Sequence, residues 1–129
     1  MQERIDQELA LLRRRFVEAG YEPAGRWVLV RAYALPAGWN RSTTDVAFQI
    51  PIGHPGTQPY GFYVPIGLLI RGERPDNYSE PADPFPPFGG TWGRFSWQPD
   101  GWQPSADVIA GSNLLNWVTG FADRFREGK

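Results

Sequence analysis

Between Gln2 and Ala19 the apolar residues Ile5, Leu9, Leu12 and Phe16 recur at spacings of four, three and four, which traces one narrow helical stripe. Glu3 and Asp6 stand early in that run, Arg13, Arg14 and Arg15 late, and Gly20 follows as a stop, so charge order and helix dipole agree. A helix over 2–19 is predicted. The period then changes. In R-W-V-L-V-R-A-Y-A-L, residues 26–35, strict alternation sends Trp27, Leu29, Arg31 and Tyr33 to one side and Val28, Val30, Ala32 and Ala34 to the other. Both sides are largely apolar, as expected of a strand covered on two faces. Gly38–Ser42 reads as a turn, Thr43–Ile50 as a second strand, Tyr60–Val64 as a short third, and Leu68–Ile70 as a further short one.

Residues 71–90 break every period: proline and glycine recur too often for a regular element, and a long loop is predicted, with Tyr78, Phe85 and Phe88 available to pin it. After an aromatic stretch, T-W-G-R-F-S-W-Q-P-D-G-W-Q-P, the pattern turns helical again over 105–126. Val108, Ser112, Leu115, Val118, Ala122 and Phe125 form its stripe, which Leu114, Trp117 and Phe121 widen. Pro104 cannot continue a helix backwards, Ser105 is a natural N-cap and Asp107 suits the first turn. Gly111 and Gly120 weaken that helix or let a strand approach it closely. The order is thus α+β: an N-terminal helix, an antiparallel meander of about four strands, a long Pro-rich loop and a C-terminal helix packed on the sheet.

Composition narrows the function. The 129 residues suit a single domain, 1–129, with the Pro-rich loop inside it, and six Trp, five Tyr and eight Phe can fill its core. A formal charge of −1 gives no reason to expect nucleic acid or a membrane as partner. No apolar run approaches the ~20 residues of a bilayer span. The opening M-Q-E-R-I-D-Q-E is unlike a signal peptide, so a cytoplasmic location is expected. The chain contains no cysteine, which removes thioester formation, thiolate ligation and disulfide exchange. With His54 as the single histidine, no metal site and no cofactor is expected.

Two local motifs carry a resemblance. His54-Pro55-Gly56-Thr57-Gln58-Pro59-Tyr60 leads into Phe62-Tyr63-Val64, and Trp102-Gln103-Pro104 leads into the last helix. The first is similar to the Tyr-Pro-x-x-Pro-Pro run before the third strand of ubiquitin-conjugating (E2) enzymes, and the second to their Trp-x-Pro before the central helix. Order and spacing from about residue 5 to 126 resemble a bacterial branch of that superfamily, the prokaryotic E2 family E. The two C-terminal helices of eukaryotic members have no counterpart, and no His-Pro-Asn precedes Ser96. The resemblance implies the ubiquitin-conjugating fold, and as partners an E1-like activating enzyme and a ubiquitin-like protein. It also implies that the family's reactive-cysteine neighbourhood corresponds to Phe95-Ser96-Trp97-Gln98.

Each candidate residue has two readings. Ser96 is either an acyl-carrying nucleophile, with Asp100 or His54 as the base a hydroxyl needs, or a turn serine bonded to its own backbone. Trp92, Trp97 and Trp102 either form a recognition platform for a partner, with Trp97 and Gln98 as its binding residues, or fill gaps beneath the long loop, and Trp102 is read as core. Arg13, Arg14 and Arg15 are either the docking face for an activating enzyme that the resemblance implies, or a solvated helix end. His54 in Gly-His-Pro-Gly is a turn residue or a general base. Asp76, Glu80 and Asp83 mimic a cation loop or, given their irregular spacing among prolines, form a solvated acidic loop, and Phe85-Pro86-Pro87-Phe88 is a loop anchor or a polyproline-type ligand. Two functions follow: an E2-like protein lacking the catalytic cysteine, acting as an adaptor or through a serine oxyester, or an unrelated α+β module binding a peptide or small ligand through its aromatic loop.

Overall fold

The computed structural model describes all residues, Met1–Lys129. Helix α1 spans Gln2–Leu12, followed by strands β1 (Gly20–Glu22), β2 (Trp27–Ala34), β3 (Thr43–Gln49), β4 (Phe62–Pro65), β5 (Tyr78–Ser79) and β6 (Trp92–Phe95), and then helix α2 (Leu114–Glu127). The strands form one antiparallel sheet in the order β1-β2-β3-β4-β6-β5, with both helices on one face. The α+β architecture is the one expected and is compatible with the ubiquitin-conjugating fold. It has two more strands than the expected four (six against four).

The first helix is shorter than its apolar period. Arg14 and Arg15 donate to carbonyls three residues back, Leu11 and Leu12, which tightens the last turn, and Arg13 Nε then bonds the Ala19 carbonyl at 2.9 Å. Phe16 still donates its amide to Leu12, so the stripe outlives the helix by one turn. The short strand β1 escaped notice because three residues carry no readable alternation.

In β2 the face assignment of Tyr33 is corrected. A bulge between Val30 and Tyr33, with Ala32 at φ 54° and its amide held by Asp45 Oδ1 at 3.0 Å, inserts one residue and flips Tyr33 inward. Tyr33 joins Val28 and Val30 in the inner core and donates its hydroxyl to the Val118 carbonyl at 2.7 Å. The outer face keeps Trp27 and Leu29, which cluster with Ala47, Tyr63, Trp92 and Ala82.

The expected strand at Leu68–Ile70 is absent: both residues are buried, but Ile70 makes only isolated bridges to Trp39 and Glu73. The Pro-rich segment, in turn, does contain a regular element. Tyr78 and Ser79 pair with Phe95 and Arg94, and Ala82 N–H bonds the Trp92 carbonyl at 2.7 Å. Tyr78 and Phe88 pin the loop, whereas Phe85 is 61% exposed and pins nothing. Strand β6 hid in the aromatic stretch because Gly93 is a poor strand former; it is glycine because a Cβ there would sit 2.0 Å from the Tyr78 hydroxyl.

The largest correction concerns α2. It starts at Leu114, not Ser105, and Asn113 is its cap: Asn113 Oδ1 accepts from Asn116 N–H at 2.9 Å while Asn116 Oδ1 accepts from Asn113 N–H at 3.1 Å. Residues 105–112 are a side-chain-bonded loop, in which Ser105 and Asp107 each accept an amide two residues on. Ser112 Oγ accepts the Gln103 amide. Gly111 packs on the backbone of 103–105, where a Cβ would lie 2.5 Å from the Gln103 carbonyl, and Gly120 faces the Trp97 ring, so neither meets a strand. The buried stripe is centred on Leu114, Trp117, Val118, Phe121 and Phe125, with Leu115 and Ala122 only half-buried at its flanks. Phe121 stacks on Phe62 with ring centroids 4.2 Å apart, locking α2 to β4.

Replacing Asn113 by Ala should lower stability by about 1–2 kcal/mol through loss of the cap. Ser105→Ala should stay within about 0.5 kcal/mol. Urea midpoints measure both, and the reverse order would restore Ser105 as the helix start.

Candidate functional site

The chain leaves β6 at Phe95 and crosses the sheet end toward α2, and a second segment, residues 51–61, runs beside it. Four hydrogen bonds join the two. Gly61 N–H donates to the Trp97 carbonyl at 2.8 Å, Gln98 Nε2 to Pro59 at 3.2 Å, Gln58 Nε2 to Pro99 at 3.0 Å and Trp102 Nε1 to Pro55 at 2.8 Å. Prolines bring no amide hydrogen but keep their carbonyls, so a Pro-rich run suits this role as acceptor. Trp97 is half-buried between the rings of Phe62, Trp117 and Phe121, with centroids 5.3–6.0 Å away. Gln98 is exposed beside it.

Ser96 is exposed at the strand end, and its backbone amide bonds the Asn77 carbonyl at 2.8 Å. Asp100 is exposed as well and lines a cleft of about 140 Å³ with Gln58, Pro99, Gly101, Trp102, Ser112, Asn116 and Trp117. Ser96 is not among the lining residues. Trp102 is half-buried, packed on the inner core and 6.4 Å from the His54 ring between centroids.

His54 stands apart from Ser96. Its Nε2 meets Glu8 Oε2 at 2.5 Å and its side chain is fully buried, so it offers no base to an exposed hydroxyl. Glu8, equally buried, is the centre of the local electrostatics. Arg4 Nε donates to Glu8 Oε2 at 2.7 Å, Leu114 N–H donates to Glu8 Oε1 at 2.7 Å, and Arg4 also reaches the Ser105 carbonyl. One carboxylate thereby joins α1, the 51–56 turn and the first amide of α2, where the positive end of the helix dipole favours it. Burial pushes the Glu8 carboxyl up, but the bonds from His54 and Arg4, the attraction of the His54 ring and the Leu114 amide outweigh it. The result lies below the ordinary value of 4.5. Sequence reasoning passed over Glu8. The signal was there: it falls three residues after Ile5 and four before Leu12, inside the apolar stripe.

Arg13 and Arg14 lie exposed just past the end of α1. Nowhere do three or more His, Asp or Glu side chains gather in a group able to hold a metal ion. No helix is long and apolar enough to cross a membrane.

The family model described as Prokaryotic E2 family E matches residues 6–118. No curated protein and no solved structure matches the chain.

Folding lowers the Glu8 pKa, so its stabilising contribution is complete above about pH 4.5 and is lost as pH falls through the lower folded value. Glu8→Ala, which strands the buried Arg4 and His54 groups, should cost about 3 kcal/mol or more at neutral pH. In Glu8→Gln the acid limb of stability against pH should be shallower than in the parent. Unfolding curves across pH measure both; an unchanged acid limb would remove Glu8 as its source.

Proposed function

The chain belongs to the prokaryotic E2 family E, and from that premise we propose that it is a non-catalytic, cysteine-less adaptor of a cytoplasmic ubiquitin-like protein modification pathway. The observation that carries this reading is the absence of cysteine from all 129 residues. A thioester carrier needs a thiolate, and a serine hydroxyl replaces it only with a base at hand. The exposed Ser96 has His54 withdrawn onto Glu8, while Asp100 faces the neighbouring cleft. Those placements favour holding a partner over carrying its acyl group.

Two surfaces suit that role. The half-buried Trp97 and the exposed Gln98 form the rigid platform for the ubiquitin-like protein, since an aromatic with a fixed rotamer binds at low entropic cost. The exposed Arg13 and Arg14 face the E1-like activating enzyme. Ser96 is then a surface residue beside the docked partner.

Incubating the chain with activating enzyme, ATP and the ubiquitin-like protein should give no covalent adduct but saturable binding, weakened about tenfold by Trp97→Ala. A hydroxide-labile, thiol-resistant adduct that vanishes in Ser96→Ala would instead make the chain an acyl carrier. Neither adduct nor binding would leave an interaction module of another kind.

A further inference from the structure

Strand β2 is paired unequally on its two sides. β1 covers it only at Trp27–Leu29, whereas β3 follows it from Trp27 to Ala34. Val30–Ala34 therefore has one lateral edge without a neighbouring strand. Across from that edge runs the segment Arg15–Ala19, and between them lie adjoining clefts of about 280 and 270 Å³ that share Arg15, Phe16 and Ala32. Their walls are apolar at Phe16, Val30, Tyr33 and Ala34. Val17, at the rim, is 75% exposed.

An open strand edge beside an apolar groove is a template for an added strand: backbone groups give the attraction and alternate side chains enter the groove. The Ala32 bulge does not close this edge, because its amide is taken by Asp45 on the β3 side. Charge selects the occupant. Arg15 and Arg31 line the groove and are exposed, Arg13 and Arg14 are the exposed residues that precede Arg15 in the chain, and Arg126 acts on the same Tyr33 hydroxyl as Arg15. The carboxylates present are Glu18, Asp45 and Asp123; Asp45 lies 3.5 Å from Arg31, and Asp123 is paired with Arg126. Arg14 and Arg15 make no ion pair, and the rim is left cationic. A second copy of the chain is a poor occupant, since antiparallel edge pairing would set the same arginines against one another.

We propose that the Val30–Ala34 edge docks an extended acidic peptide segment of a partner protein, which adds a strand to β2, lays apolar side chains over Phe16 and Tyr33 and turns carboxylates toward Arg15 and Arg31. This goes beyond the adaptor reading and does not depend on it, because the docked segment carries no acyl group.

The test uses a fluorescein-labelled heptapeptide, Glu-Val-Glu-Thr-Glu-Val-Glu, with the full chain. Fluorescence anisotropy should show saturable binding that falls with added salt. It should weaken about tenfold in the Arg15→Glu/Arg31→Glu double variant and vanish when alternate peptide amides are N-methylated. Amide shifts should map to 15–19 and 30–34. Circular dichroism checks that the variant, altered only at exposed positions, is folded. No binding at millimolar peptide, binding indifferent to N-methylation, or shifts confined to 96–102 would each overturn the proposal. So would a concentration-dependent dimer of the chain that excludes the peptide.

Discussion

A single buried carboxylate governs how the ends of this molecule meet. Glu8 accepts from Arg4, contacts His54 and receives the first amide of α2. A charged carboxylate without partners is costly to bury, so the arrangement holds only while all three elements are in place. The constraint is mutual: α1 fixes where α2 begins, and both fix the turn bearing His54. From that turn the chain runs directly into Pro55, Gln58 and Pro59, which are bonded to the aromatic approach. Rigidity at the platform around Trp97 and Trp102 is thus inherited from the Glu8–His54 contact, whose imidazole lies 6.4 Å from the Trp102 ring between centroids.

The remaining order comes from aromatic packing. Phe62, Phe95, Phe121 and Phe125 form one stacked and edge-on set beneath α2. Arg124 closes its far end, lying 4.8 Å above the Phe95 ring while donating to the carbonyls of Gly128 and Asp76. The Pro-rich segment is held at Tyr78, Ala82 and Phe88, while the Phe85 side chain is exposed. Loops of this length are usually mobile or functional; this one instead covers the outer aromatic cluster of the sheet.

Much of this was legible from residue patterns, and the failures have physical causes. The stripe of Ile5, Leu9 and Leu12 and the strand at Trp27–Ala34 rest on periodicity and are where expected, although the strand is covered on both faces only over Trp27–Val30, with Arg31, Ala32 and Ala34 exposed. Periodicity cannot register a bulge: alternation puts Tyr33 on the outer face, and the extra residue between Val30 and Tyr33, where Asp45 accepts the Ala32 amide, turns it inward. Ser105 and Asn113 are both good caps in isolation. Gly111 decides between them, because its contact with residues 103–105 folds the intervening chain into a loop. The candidate site was only half legible. Ser96, Trp97, Gln98 and Asp100 are neighbours in sequence, yet Asp100 lines the cleft and Ser96 does not, and the partnership of Glu8 with His54 spans 46 residues and leaves no local pattern.

The central claim is that the Glu8 contact and the bonded pair of segments 51–61 and 96–103 behave as one rigid unit. Native-state amide exchange at Leu114, which donates to Glu8, and at Gly61, which donates to Trp97, tests it most directly. The account predicts that both amides are strongly protected in the parent and lose protection together in Glu8→Ala. Free exchange at either amide in the parent, or protection of Gly61 untouched by the substitution, would contradict it.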